Sequence, residues 1–234
     1  TELDAKIRRA VETHDWTGVY PEIHQFCATD LSAFYFDIRK DALYCDASDA
    51  PRRRAARTVL DILHRCLCAW FAPVLVFTAE EAWLARFPDQ DGSVHLLDFP
   101  FIPEGWKDAA LAAKWARLRD LRRAVTGALE RARVAQEIGS SLQAAPVLHL
   151  GAEDAPLLSP ELWAELCITS GFALSAAPAP EGAFVADGVA DAAAVFLPAP
   201  GTKCDRCWRV LPEVGDCATH PTLCRRCDAV VEAL

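Results

Sequence analysis

Two cysteine pairs near the end of the chain, Cys204/Cys207 and Cys224/Cys227, constrain its folding more than any other feature. Both are spaced C-x-x-C, within KCDRCWRVLPEVGDCATHPTLCRRCDAVVEAL, and sixteen residues separate them. A tail of about 35 residues buries too little apolar surface to fold unaided. Two C-x-x-C turns each hold two thiolates to one side and together complete a tetrahedron, the arrangement of a zinc site. Ligation and folding are then one event. Four thiolates leave no open position for water, so the expected site holds one structural Zn2+ per chain and is not catalytic. Disulfide scaffolds are usually short and core-poor, and a redox C-x-x-C sits singly beside a βαβ unit that is absent from this pattern. Cys217 and His220 lie inside the gap and are the alternative ligands to the second pair.

The neighbours of the knuckles leave two readings open. Trp208 follows Cys207 directly and is either a core residue packed on the knuckle or a stacking platform for an unpaired base. Arg206, Arg209, Arg225 and Arg226 crowd both knuckles, as solvated surface charge or as phosphate contacts.

Length and charge narrow the rest. The chain has 234 residues, of which 52% are apolar, enough for one large domain or two to three small ones. The longest apolar run, CLCAWFAPVLVFTA, stops after fourteen residues and carries Pro73, short of the roughly 20 needed to span a bilayer. It reads as a buried helix broken near the proline. The N-terminus is charged and amphipathic, without the apolar segment of a signal peptide. Cys27, Cys66, Cys68 and Cys167 sit in apolar helical patterns and read as small buried hydrophobes. A reducing, cytoplasmic setting follows. No methionine occurs, which suggests a processed product or an excised piece. Net charge is −9, yet its distribution is uneven. Arg52, Arg53, Arg54 and Arg57 fall in APRRRAAR with no acid among them, and residues 114–133 hold seven basic residues against two acids. An acidic protein can thus carry a local basic face.

Helical periodicity dominates up to about residue 136. A first helix carries Leu3, Ile7, Ala10 and Val11 and breaks at Trp16-Thr17-Gly18. A second is expected from about Val19 to Asp41, and a third over ARTVLDILHRCLCAWF. Thr78 and Glu81 suggest a capping box opening a fourth. PDQDGSVHLLDFPFIPEGW reads as a long surface loop. A last helix runs from about Ala109 to Gln136, its buried stripe formed by Trp115, Leu118, Val125, Leu129 and Ala132. From about Ala145 the pattern shifts to short strands, PVLHL, FALS and AAVFL, around one helix that starts at Ser159 and Pro160. The reading is mainly α: a helical bundle over 1–144, a small α/β module over 145–198 and a zinc ribbon or knuckle over 199–234.

Four stretches, taken in order, resemble a known family: FYFDIRKDALYCD, WFAPVLVFTAEEAW, LRDLRRAVTGALERAR with IGSSLQA, and KCDRCWRVLPEVG with LCRRCD. Together they are similar to the C-terminal part of the bacterial isoleucyl-tRNA synthetases, over nearly the whole chain. The resemblance implies an anticodon-binding bundle, an α/β junction and a four-cysteine zinc module. It implies the anticodon stem-loop of tRNA-Ile as partner, a monomeric parent and no membrane. It further implies that ATP and isoleucine are handled only by the full-length parent, an isoleucine–tRNA ligase. Two positions depart from the family pattern: Ala42 stands where a basic residue is common, and Gln143 where glutamate is. The HIGH and KMSKS motifs of amino-acid activation do not occur, so this piece is expected to be inactive by itself. His14, His24, His64, His95 and His149 are scattered without partners at readable spacing.

The residues expected to touch RNA are Arg52, Arg53, Arg54, Arg57, Arg117, Arg122, Arg123, Arg206, Trp208, Arg209, Arg225 and Arg226. Unpaired loop bases are read by stacking and edge contacts while basic residues hold phosphates. Two rivals remain. The tail also resembles that of the formamidopyrimidine-DNA glycosylases, but that class demands an N-terminal proline where this chain has Thr1. The other is an interaction module in which zinc only staples the fold.

Overall fold

The computed structural model describes residues 1–88 and 92–233. Its contacts divide the chain into two compact units, 1–43 with 47–107, and 44–46 with 108–234.

The first unit is helical. α1 (Glu2–Thr13) buries Ile7 and Ala10 and ends at His14 in the left-handed region. The expected break follows, with Gly18 at φ +84° and the Thr17 amide donating to Asp15. The chain is then helical from Val19 to Cys45, somewhat past the expected end. α2 (Val19–Gln25) passes through a π-type stretch, Phe26–Phe36, into α3 (Asp37–Cys45). α4 (Pro51–Phe71) starts with proline in its first turn, where a missing N–H costs nothing. It stops two residues before Pro73, as expected. Ile7, Ala10, Val19, Ile23, Cys66 and Trp70 form one core. Within it the buried Asp4 carboxylate accepts from Trp70 Nε1 (3.3 Å) and Arg8 Nε (2.9 Å), which compensates its desolvation.

One expectation fails here. α5 (Val76–Arg86) begins a turn earlier than Thr78, with Leu75 as its unassisted N-cap. The chain leaving α4 closes back on itself, the Leu75 amide donating to the Phe71 carbonyl at 2.7 Å. Thr78 is already helical and cannot cap. Glu80 instead accepts from the Ser93 hydroxyl and the Val94 amide. That pins the following loop, whose Val94 is buried with Cys68, Trp83 and Phe87. Residues 89–91 of the expected surface loop lie outside the described residues.

The second unit is built on α6 (Ala109–Val134), capped by the Asp108 side chain on the Leu111 amide. Leu118, Leu121, Val125, Ala128, Leu129 and Ala132 are buried along one stripe, with Trp115 half-buried at its start. Strands β1 (Val147–His149), β2 (Ala173–Ser175) and β3 (Ala193–Val195) form a sheet in the order β2-β1-β3, with β2 parallel and β3 antiparallel to β1. α7 (Pro160–Cys167) carries the expected Ser159 cap. Gly127, in mid-helix, is required: a Cβ there would meet the Phe184 ring at 2.1 Å. By contact α6 thus groups with the strands that follow it. Gln143 keeps the capping role a glutamate would have, since its Oε1 accepts from the Gly139 and Ser140 amides. The tail adds β4 (Thr202–Lys203) and β5 (Val210–Leu211), an antiparallel pair, and α8 (Arg225–Glu232). The hairpin was not legible as strands, because two residues per strand carry no alternation.

Candidate metal centre and nucleic-acid surface

The β4–β5 turn forms the first knuckle. The Cys204 amide donates to the Arg209 carbonyl (2.8 Å), and the Trp208 amide to the Cys204 carbonyl (2.9 Å). The second knuckle enters α8, with Cys224 at its N-cap position. Cys204, Cys207, Cys224 and Cys227 are all buried, and their sulfurs lie within 4.8 Å of one another. Cys207 and Cys224 Sγ are 3.8 Å apart. All ten cysteines are free thiols. Cys217 and His220 stand outside the four-thiol set.

The surroundings prepare one thiol for ionisation. Burial pushes Cys204 up, but amide hydrogen bonds from Cys207, Cys224 and Arg206 outweigh it and bring it down to about 7. Burial keeps Cys207, Cys224 and Cys227 at about 11, with Arg206 partly offsetting it at Cys227. Metal ligation requires thiolates, and in the unfolded metal-free tail four ordinary thiols at about 8.5 are mostly protonated at pH 8, so loading zinc should displace about three protons per ion. A pH indicator in weak buffer reads this directly. Release of one proton or fewer would contradict a four-thiolate site.

The four tail arginines all have intramolecular partners. Arg206 donates to the carbonyls of Cys45 (2.6 Å) and Tyr44 (3.3 Å), and to Cys227 Sγ (3.6 Å). Arg209 donates to the Ser170 carbonyl (2.7 Å), Arg225 pairs with Asp216 (2.8 Å) and Arg226 with Asp46 (3.2 Å). Arg206 and Arg226 thereby stitch residues 44–46 to the knuckles, across sequence separations no local motif reveals.

Trp208 behaves differently. It is 61% exposed, so it is not the core residue of the blander reading. It sits at φ +66°, a left-handed conformation that costs a non-glycine residue about 1–2 kcal/mol. The Lys203 ammonium lies 5.4 Å from its ring centroid. The indole thus stands outward in a left-handed turn, with the Lys203 ammonium over one face of its ring.

The other candidate arginines separate into two groups. On α6, Arg117 forks between Asp154 and Asp191. Arg122 Nε donates to the Leu166 carbonyl (2.8 Å), and Arg123 to the Asp187 carbonyl (3.2 Å). All three side chains thus tie α6 to other segments of the second unit, which charge placement alone does not show. On α4, Arg52 pairs with Asp41 (2.9 Å) and Arg53 is half-buried. Arg54 and Arg57 are exposed and line an open groove with Phe36, Asp61, His64 and Arg86. Ala42 is fully buried, so a basic side chain there would have no water to enter. His64, His95 and His149 each donate a ring N–H to a backbone carbonyl.

A helical first unit and a terminal four-thiol module define the class, and comparison with known proteins agrees. The family model described as the anticodon-binding domain of tRNA ligase matches residues 1–149, and the zinc finger found in FPG and IleRS matches residues 201–230. The chain belongs to the anticodon-binding domain family of the tRNA ligases. It is 56% identical, over its whole length, to the isoleucine–tRNA ligase of Gluconobacter oxydans, and 51% identical over 98% of its length to that of Ruegeria pomeroyi. It spans 23% and 24% of those relatives. The zinc-finger match is shared with the glycosylase group, so the match over residues 1–149 is what separates the two readings. Among the described residues no helix is long and apolar enough to cross a membrane.

Proposed function

We propose that the chain is the tRNA-gripping region of an isoleucine–tRNA ligase. It recognises the anticodon stem-loop of tRNA-Ile in the cytoplasm, for a monomeric parent whose catalytic body attaches isoleucine using ATP. Cys204, Cys207, Cys224 and Cys227 hold one zinc ion, whose chemistry is structural. It fixes the knuckle turn and with it the attitude of Trp208.

The observation that carries this reading is Trp208. A splayed loop base stacks on its exposed face, and Lys203 lies close enough to meet the adjoining phosphate. Arg54 and Arg57 are the α4 cations with side chains open to solvent, and they hold backbone phosphates. Arg206, Arg209, Arg225 and Arg226 support the knuckles more than they reach for RNA.

Trp208→Gly separates structure from function, because its two effects have opposite signs. Glycine relieves the left-handed strain, so the tail should gain up to about 1 kcal/mol. Losing one stacked base should weaken tRNA-Ile binding on the order of tenfold. Zinc release by chelator and filter binding measure the two. Unchanged tRNA affinity removes Trp208 from the interface.

A further inference from the structure

The loop joining the two knuckles brings a second set of donor atoms onto one face of α8. His220 Nδ1 lies 2.8 Å from Asp228 Oδ1. Glu232 stands one turn beyond Asp228 on the same face. Donor atoms of His220, Asp228 and Glu232 lie within 4.8 Å of one another. Cys217 is buried in the same loop but stands outside this donor group. No residue is shared with the four-thiol set.

A histidine–aspartate pair alone would be an ordinary staple between loop and helix. The rest of the arrangement opposes that explanation. It places a second carboxylate beside the first, and like charges at such range repel. Glu232 also occupies the last turn of α8, where the helix dipole disfavours an anion and no basic residue is present. A bound cation would relieve both. One imidazole nitrogen and two carboxylates suit zinc. Around tetrahedral zinc, with bonds of about 2.0–2.3 Å, donors sit about 3.3–3.8 Å apart. On binding, the His220–Asp228 pair would open from 2.8 Å and the exposed Glu232 side chain would rotate in to complete the set.

We infer that His220, Asp228 and Glu232 form a second divalent-metal site, which takes zinc with water in its open position and fastens the loop to α8. It binds more weakly than the four-cysteine site, because its carboxylate end is open to water.

The test uses the full 234-residue chain, stripped of metal and titrated with zinc against a chromophoric chelator. Two equivalents are expected, one tight and one weaker. His220→Asn with Asp228→Asn should remove the weaker equivalent and leave the tight one. The thiolate-to-metal charge-transfer band of cobalt in the four-cysteine site should persist in that variant, reporting a folded tail. Glu232→Gln, at an exposed position, should weaken the second equivalent at least about tenfold. A single equivalent in the wild type overturns the inference, as does a weak equivalent that survives the double substitution. The two sites fail separately: loss of the tight equivalent contradicts the four-cysteine zinc, whereas a weak one that depends on His220 supports the second site regardless.

Discussion

Replacing Cys204 by serine should strip the tail of its tightly held zinc and unfold residues 199–234. Cys204 is fully buried, is the thiol most ready to ionise, and accepts the Cys224 amide (3.3 Å) across the two knuckles. The core around it consists largely of the ligand sulfurs themselves, with Leu223 buried and Leu211, Val214 and Val231 packed against them. So few aliphatic side chains cannot offset the conformational entropy of ordering the tail. Structural zinc contributes about 10–16 kcal/mol to such modules, which makes it the dominant stabilising interaction here. Metal analysis after chelator dialysis and limited trypsinolysis read the outcome. In the variant, Lys203, Arg206 and Arg209 should become rapid cleavage sites while α1–α6 keep their helical signal. A variant retaining stoichiometric tight zinc would show that Cys204 is not a ligand.

The second large effect lies on α6. Arg117→Ala should destabilise the second unit by about 3 kcal/mol. Its guanidinium forks between Asp154, whose side chain is 9% exposed, and Asp191. Removing it strands the Asp154 carboxylate in a buried position, and an uncompensated buried charge costs more than the lost pair itself contributes. The hydrogen bond to Arg117 also holds the Asp191 carboxyl below the usual carboxylate range. That contribution is present above the usual range and is lost as pH falls through the lowered value. Arg54→Ala, at an exposed site without a buried partner to strand, should change stability by less than about 0.5 kcal/mol. Denaturant unfolding compares the two variants. Equal midpoints would mean that Arg117 is a surface charge after all.

These contrasts show what the sequence could reveal. The cysteine spacing was legible because a C-x-x-C turn is local and its geometry follows from four residues. Helices with a clear apolar stripe, such as α6, were legible for the same reason. The roles of the arginines were not. Arg117 and Arg122 look like an RNA-facing row when only their neighbours are counted. Their partners, Asp154, Asp191 and the Leu166 carbonyl, lie 37, 74 and 44 residues away. Charge density marks where cations are, and only tertiary structure tells which are already committed. The Thr78 box failed through the same kind of competition, since the turn leaving α4 set the start of α5 before a cap could. Trp208 went the other way. Composition favoured a buried aromatic in a small module, whereas in the structure Trp208 takes a left-handed φ of +66° and is exposed.

The central claim is that a zinc-fixed knuckle presents Trp208 to an unpaired base of the anticodon loop. Its most direct test compares binding of this chain to tRNA-Ile and to the same tRNA with its anticodon replaced. The account predicts tighter binding to the native anticodon, and a preference that collapses in Trp208→Gly while zinc content stays unchanged. Equal affinity for the two tRNAs, or a preference undiminished in Trp208→Gly, would contradict it.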